Sequence, residues 1–263
     1  MRGDARFQTA PGFLPLVVLP VKINGKGIYK FILDTGASVS YISPALAKDH
    51  AITPDITKNA EAFGNAVPIA FGKMNKVTVG QYLKDDLEVG IIEMATLSKT
   101  VGVKVDGTLG YNYFKDACIN VNFNTQLLVF DTAPAKLKYP VPFRLASNDK
   151  PLIIIPVSIN GKGPFDFALH TGVSITTVCA DLAHEIGLPK TAVVNPNLPP
   201  LAQVDSIQVG ERKVKNVQIT NEGYFPAFNE ASGTSIRGFL GYNFFKNFSF
   251  IIDYIDKTLY FVK

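Results

Sequence analysis

Short apolar runs, each closed by Gly, Asn, Asp or Lys, recur along the chain with little sign of a longer helical period. Residues 16–23, 29–34, 76–79, 86–92, 119–123 and 127–130 read as strands, and the second half repeats the set. Asn24-Gly25 and Asn160-Gly161 each sit between two such runs, and both residue types tolerate the positive φ of a two-residue hairpin turn. Helical signals are few. Ser43-Pro44 supplies an N-cap and a proline at the first helical position, residues 181–186 stop at Gly187, and a short helix is expected after Leu109-Gly110 and Leu240-Gly241. The pattern predicts an all-β protein of two related barrel lobes with short helices.

The two halves are copies of one unit. From Pro15 to Gly36 thirteen of twenty-two positions are identical, without a gap, to those from Pro151 to Gly172. Gly107-Thr108-Leu109-Gly110-Tyr111-Asn112 returns as Gly238-Phe239-Leu240-Gly241-Tyr242-Asn243. The expected division is a first lobe over 14–133, a linker over 134–149 marked by Pro134, Pro140 and Pro142, and a second lobe over 150–263, related by internal pseudo-two-fold symmetry. One interval is unequal: 44 positions separate Gly36 from Gly80, but 38 separate Gly172 from Gly210. The first copy there carries Phe63-Gly64 and Phe71-Gly72, suited to a mobile hairpin, whereas residues 194–200 of the second are stiffened by proline.

Composition narrows the functions. The chain has 263 residues, 47% hydrophobic and 18% charged, with a formal charge of +4. No run of Lys and Arg forms a basic stripe, so nucleic acid is not an expected partner. The most hydrophobic segment, residues 13–21, is too short to span a bilayer and contains Pro15 and Pro20. It has an internal twin, which marks it as a strand of the fold and not a signal peptide. The compartment stays open: an exported or periplasmic protein whose signal has been removed, or otherwise a soluble one. Cys118 and Cys179 hold unmatched positions and read as small buried or half-buried side chains, with a disulfide between lobes as the lesser option.

Asp34-Thr35-Gly36-Ala37-Ser38 follows an apolar strand, and the later Asp106-Gly107-Thr108-Leu109-Gly110 completes a pattern that resembles the retropepsin-like aspartic peptidases, in particular bacterial proteins with two such units in tandem. The resemblance covers nearly the whole chain. It implies two units facing each other across a two-fold axis, each giving one Asp-Thr-Gly loop, with a water held between two carboxylates and a flap closing over a peptide or protein substrate. It implies no cofactor and no metal, and a monomer is expected, since one chain already holds both units. Two carboxyl groups about 3 Å apart share one proton and so supply both the base and the acid that amide hydrolysis needs. On this resemblance Thr35 and Thr171, with Gly36, Gly172, Ser38 and Ser174, support the loops. Phe63, Gly64 and Phe71 belong to the flap.

The second loop reads His170-Thr171-Gly172, so His170 stands where the family pattern has its second aspartate. Four readings follow. Asp34 and His170 together form the catalytic pair, as an ion pair around neutral pH, with a precedent in an aspartic peptidase of protozoan parasites that carries His for one Asp. Alternatively the site is degenerate and the cleft binds a peptide or other ligand. Two chains can pair through their first lobes, so that Asp34 meets Asp34. Finally, the Asp and His can serve a different acid/base reaction in the same cleft. His50 and His184 read as surface or capping residues, Asp106 as a salt-link partner within its own lobe, and Asp253 as a turn or cap residue.

Overall fold

The computed structural model describes residues 3–12, 14–62, 65–131, 137–147, 150–188, 200–222 and 225–262. The fold is mostly β, and its strands form three sheets. Strands between Gln8 and Leu109 make a ten-stranded sheet, and strands between Arg144 and Leu240 a seven-stranded one. Each contains the hairpin its Asn-Gly pair foretells. Val17–Ile23 turns into Lys26–Leu33 through Asn24 (φ 53°) and Gly25 (φ 72°), and Ile153–Ile159 turns into Lys162–Leu169 through Asn160 (φ 51°) and Gly161 (φ 77°).

The same crossing of strands follows in both halves. Lys26–Leu33 pairs in parallel with Gly107–Leu109, which pairs antiparallel with Ser40–Ile42. Lys162–Leu169, Gly238–Leu240 and Thr176–Cys179 repeat the arrangement. In each half the loop after the first of these strands is thereby held at the end of a strand that threads between its two arms. Leu33, Leu169, Leu109 and Leu240 are fully buried, so the loops stand on packed core.

The third sheet joins the halves. Its six strands run in the order Gly3–Arg6, Leu127–Asp131, Cys118–Asn122, Ser249–Asp253, Thr258–Val262 and Val141–Pro142. At its centre Cys118 lies opposite Asp253 and Val121 opposite Phe250. Cys118 corresponds in the other half to Ser249, and Asn122 to Asp253, so the antiparallel register is crosswise, as a two-fold relation requires. Asp253 is buried, and its Oδ1 accepts from the N–H groups of Ile255 and Asp256 at 3.0 Å, which is the turn role expected of it.

The helices Pro44–Asp49 and Ala180–Glu185 start at Ser43 and Cys179, whose side chains accept from the N–H of Leu46 and Leu182. Tyr111–Phe114 and Tyr242–Phe245 follow the Leu-Gly pairs. Two helices go beyond the sequence reading, Ala95–Val101 and Phe225–Ser232. Their C-terminal glycines, Gly102 (φ 74°) and Gly233 (φ 62°), were the available signal. The first has little apolar period to detect, with only Val101 buried. Two short strands, Val141–Pro142 and Arg144–Leu145, occupy the interval expected as linker. Neither Cys118 nor Cys179 forms a disulfide. No helix among the described residues is long and apolar enough to cross a membrane.

The strand Gly3–Arg6 precedes the expected start of the first lobe and leads into Phe7, which is 1% exposed and packs edge-on against Phe123 at 5.5 Å. Phe7→Ala is expected to cost about 3–5 kcal/mol, read as a lower urea midpoint at unchanged m-value. A loss below about 1 kcal/mol would show that this end of the chain lies outside the cooperative core.

Candidate active site

The loops 34–36 and 170–172 meet at the join between the halves, fixed by reciprocal hydrogen bonds. The Thr35 N–H donates to Thr171 Oγ1 and the Thr171 N–H to Thr35 Oγ1, both at 3.0 Å. Each hydroxyl in turn donates to a carbonyl of the opposite half, Thr35 to Leu169 at 2.9 Å and Thr171 to Leu33 at 2.7 Å. Both threonines are buried, so loss of either hydroxyl strands polar groups away from water.

This lock brings Asp34 and His170 together, with His170 Nδ1 at 3.2 Å from Asp34 Oδ1 and their side chains 17% and 18% exposed, respectively. Their settings are parallel. The Asp34 N–H donates to the Leu109 carbonyl and the His170 N–H to that of Leu240, both at 3.0 Å. The Gly36 N–H donates to Asp34 Oδ1 at 3.0 Å, and the Gly172 N–H to His170 Nδ1 at 3.2 Å. A Cβ on Gly36 would collide with the imidazole, and one on Gly172 with the carboxyl of Asp34, so at both places only glycine lets the loops approach.

Two groups compete for His170 Nδ1: accepting from the Gly172 N–H puts the proton of the neutral ring on Nε2, whereas donating to Asp34 Oδ1 keeps it on Nδ1. Burial pushes His170 below its ordinary value of 6.5, and the charge of Asp34 opposes that shift without reversing it. Desolvation of the ring thus works against the ion pair expected from the sequence, and the attraction of one carboxylate does not outweigh it.

Behind each loop stands a strut that the sequence reading missed. Ser40 Oγ donates to Asn112 Oδ1 at 2.8 Å and accepts from the Gly110 N–H at 3.1 Å. Thr176 and Asn243 repeat this with Gly241 at the same distances. The recurrence of Asn112 as Asn243, one residue after Tyr111 and Tyr242, was the signal for it. Ser38 and Ser174 act here through backbone carbonyls, which accept from the N–H of Asn112 and Asn243 at 3.2 and 3.0 Å.

The strands Ile56–Ala62 and Asn65–Met74 pair as the long hairpin anticipated for the first half. Phe63 and Gly64 lie outside the described residues. Phe71 sits at the hairpin's foot, opposite Ile56 and Gly90, 3% exposed, with the Lys58 ammonium 5.2 Å from its ring centre. The shorter equivalent in the second half, residues 189–199, also lies outside the described residues.

The remaining titratable candidates are elsewhere. His50 Nε2 bonds the Tyr29 hydroxyl at 2.8 Å, and Asp106 binds Lys104 at 2.9 Å and accepts from the Lys30 N–H at 2.9 Å, within its own half. Near the pair, Tyr254 stacks edge-on with Tyr111 at 5.7 Å, matching Phe123 with Tyr242 at 5.7 Å in the other half. Burial, Tyr111 and the charge of Asp34 all push the Tyr254 phenol upward. Its buried hydroxyl lacks a hydrogen-bond partner among the described residues.

A family model described as aspartyl protease matches residues 19–113 and 155–244. The first span holds Asp34 and Leu109-Gly110, the second His170 and Leu240-Gly241. A search of curated proteins finds no match.

Two measurements test this geometry. Because His170 titrates lower in the folded state than in the unfolded one, its contribution to stability is complete above about pH 6.5 and is lost as pH falls through its folded value. The melting temperature should therefore drop more between about pH 7 and pH 5 for this protein than for His170→Asn. In NMR titrations the His170 pKa should lie below 6.5, and lower still in Asp34→Asn, which removes the charge that opposes the shift. A rise in Asp34→Asn would contradict the assignment. Separately, Thr35→Val keeps shape but orphans the Thr171 N–H and the Leu169 carbonyl, with an expected cost of about 2–4 kcal/mol in denaturant melts.

Proposed function

The chain belongs to the aspartyl protease family, and on that premise we propose that it hydrolyses peptide bonds with Asp34 and His170 acting as a pair in one inter-lobe cleft. The observation that carries this reading is the 3.2 Å contact between the two side chains, held by the threonine lock within a single chain. In the proposal residues 14–133 and 150–263 form the two lobes, the chain works as a monomer, and an extended peptide lies beneath the hairpin of residues 56–74, held by β-type hydrogen bonds.

The two groups divide the work by their protonation. A water between them loses a proton to the Asp34 carboxylate as its oxygen attacks the carbonyl carbon of the scissile amide. His170 Nδ1, 3.2 Å away, is placed to accept a hydrogen bond from the carboxyl that forms, which favours that transfer. The Nε2–H of the neutral ring donates to the carbonyl oxygen as negative charge builds there. Asp34 then gives its proton to the amide nitrogen as the C–N bond breaks, leaving a carboxylic acid and an amine. Activity should persist at neutral pH, where a dicarboxylate dyad has lost its shared proton.

Pairing through two first lobes would require the threonine lock to open, and that favours the one-chain site. The test is cleavage of a diverse peptide mixture between about pH 3 and 8, read by mass spectrometry. Asp34→Asn should abolish every cut, and His170→Ala should lower kcat at least about a hundredfold. Cuts that survive Asp34→Asn would sink the proposal, and a protein that binds peptides but cuts none at any pH would be a binding module. Activity that tracks a dimer and is lost on dissociation would reinstate the two-chain dyad.

A further inference from the structure

The row of side chains leading across each sheet to Asp34 or His170 is built differently in the two halves. In the first, cross-strand partners run Ile32, Thr108, Tyr41, Gly90. In the second they run Ala168, Phe239, Thr177, Thr220. Ile32 and Ala168 lie two residues before Asp34 and His170, so both rows share a face with them. The aromatic ring has moved one strand closer to the site: Tyr41 is two strands from the Asp34 strand, whereas Phe239 is on the strand next to His170. Small Ala168 and Thr177 on either side make room for it.

The displaced ring reaches the imidazole. Phe239 meets His170 edge-on, centroids 5.2 Å apart and planes at 83°. Phe225 and Phe228, from the helix Phe225–Ser232, pack on Phe239 at 5.1 Å each. With Leu152, Ile154, Ala168 and Ile236 they form an apolar cluster separate from the main core. In the first half the equivalent position is Thr108, whose buried hydroxyl has no hydrogen-bond partner among the described residues. A ring that withholds water suits a neutral imidazole.

We propose that Phe239 is a positioning residue for His170: it fixes the plane of the imidazole and keeps water off it, so that the ring works uncharged as a hydrogen-bond donor. The inference deepens the peptidase reading and rests on it for its catalytic meaning. Among charged groups, Asp34 is the one that acts on His170 across the site. Those on the packed elements are engaged elsewhere: Asp166 pairs with Arg144, Arg237 with Glu185, and Glu230 on the Phe225–Ser232 helix is exposed. An aromatic face would favour an imidazolium by cation–π attraction, which opposes the effect of excluded water. The downward direction for His170, with desolvation as its main cause, places exclusion of water ahead.

The test is the His170 pKa by NMR in three variants. Phe239→Thr, which installs the residue of the first half, should raise proton affinity about tenfold, and Phe239→Leu, which keeps apolar bulk, should leave it within about twofold of the parent. Phe239→Thr with Thr177→Tyr rebuilds the row of the first half at conserved volume and should also raise it, which keeps the test alive if the single change does not fold. An unchanged or lower pKa in the threonine variants overturns the proposal. The titration needs no peptidase activity, so its failure is distinct from failure of the functional reading. Where peptides are cut, the acid limb of kcat should move up with the pKa, which a merely structural role for Phe239 would not produce.

Discussion

Two threonine hydroxyls hold the active-site region together. Each accepts a backbone N–H and donates to a carbonyl of the other half, so that four buried polar groups are satisfied only when the loops are in register. Burial makes this bonding all-or-nothing, because a partial lock leaves donors and acceptors with neither protein nor water. The approach of Asp34 to His170, and the need for glycine at 36 and 172, follow from that constraint. Anything that alters the pair must act within a frame that allows its members little travel.

Much of this frame was legible in the sequence. The Asn-Gly hairpins, the strands leading to Asp34 and His170, and the helices after each Leu-Gly pair follow from turn chemistry and apolar alternation, which are local properties. The loop residues were legible because the motif occurs twice. The Ser40–Asn112 and Thr176–Asn243 struts were not, since each joins residues about seventy positions apart whose types are ordinary in isolation. The burial that works against a charged His170 was hidden for a related reason. Sequence places a carboxylate beside it, but the Phe239 ring that meets it is backed by a helix that left little trace in the pattern.

The two halves thus agree in backbone and differ in one side chain beside the loops. On the strand beside Asp34's own the first half has Thr108, where the second has Phe239, a ring that meets His170 and is backed by two more. A dicarboxylate dyad gains its division of labour from two like charges that cannot coexist. In the proposed peptidase the division would come from unlike groups in unlike surroundings, without the acidic conditions that suit a shared proton.

The six-stranded sheet has a consequence for how the molecule is made. It joins a flank of strands from residues 3–6 and 118–131 to a flank of strands from 249–262 and 141–142. During synthesis the first lobe emerges with one flank of that sheet unpaired, and the strand Cys118–Asn122 waits for Ser249–Asp253 while more than a hundred residues are added. The exposed edge over that interval is a template for the wrong strand as much as the right one. The order of synthesis thus separates the making of this edge from the making of the strand that covers it.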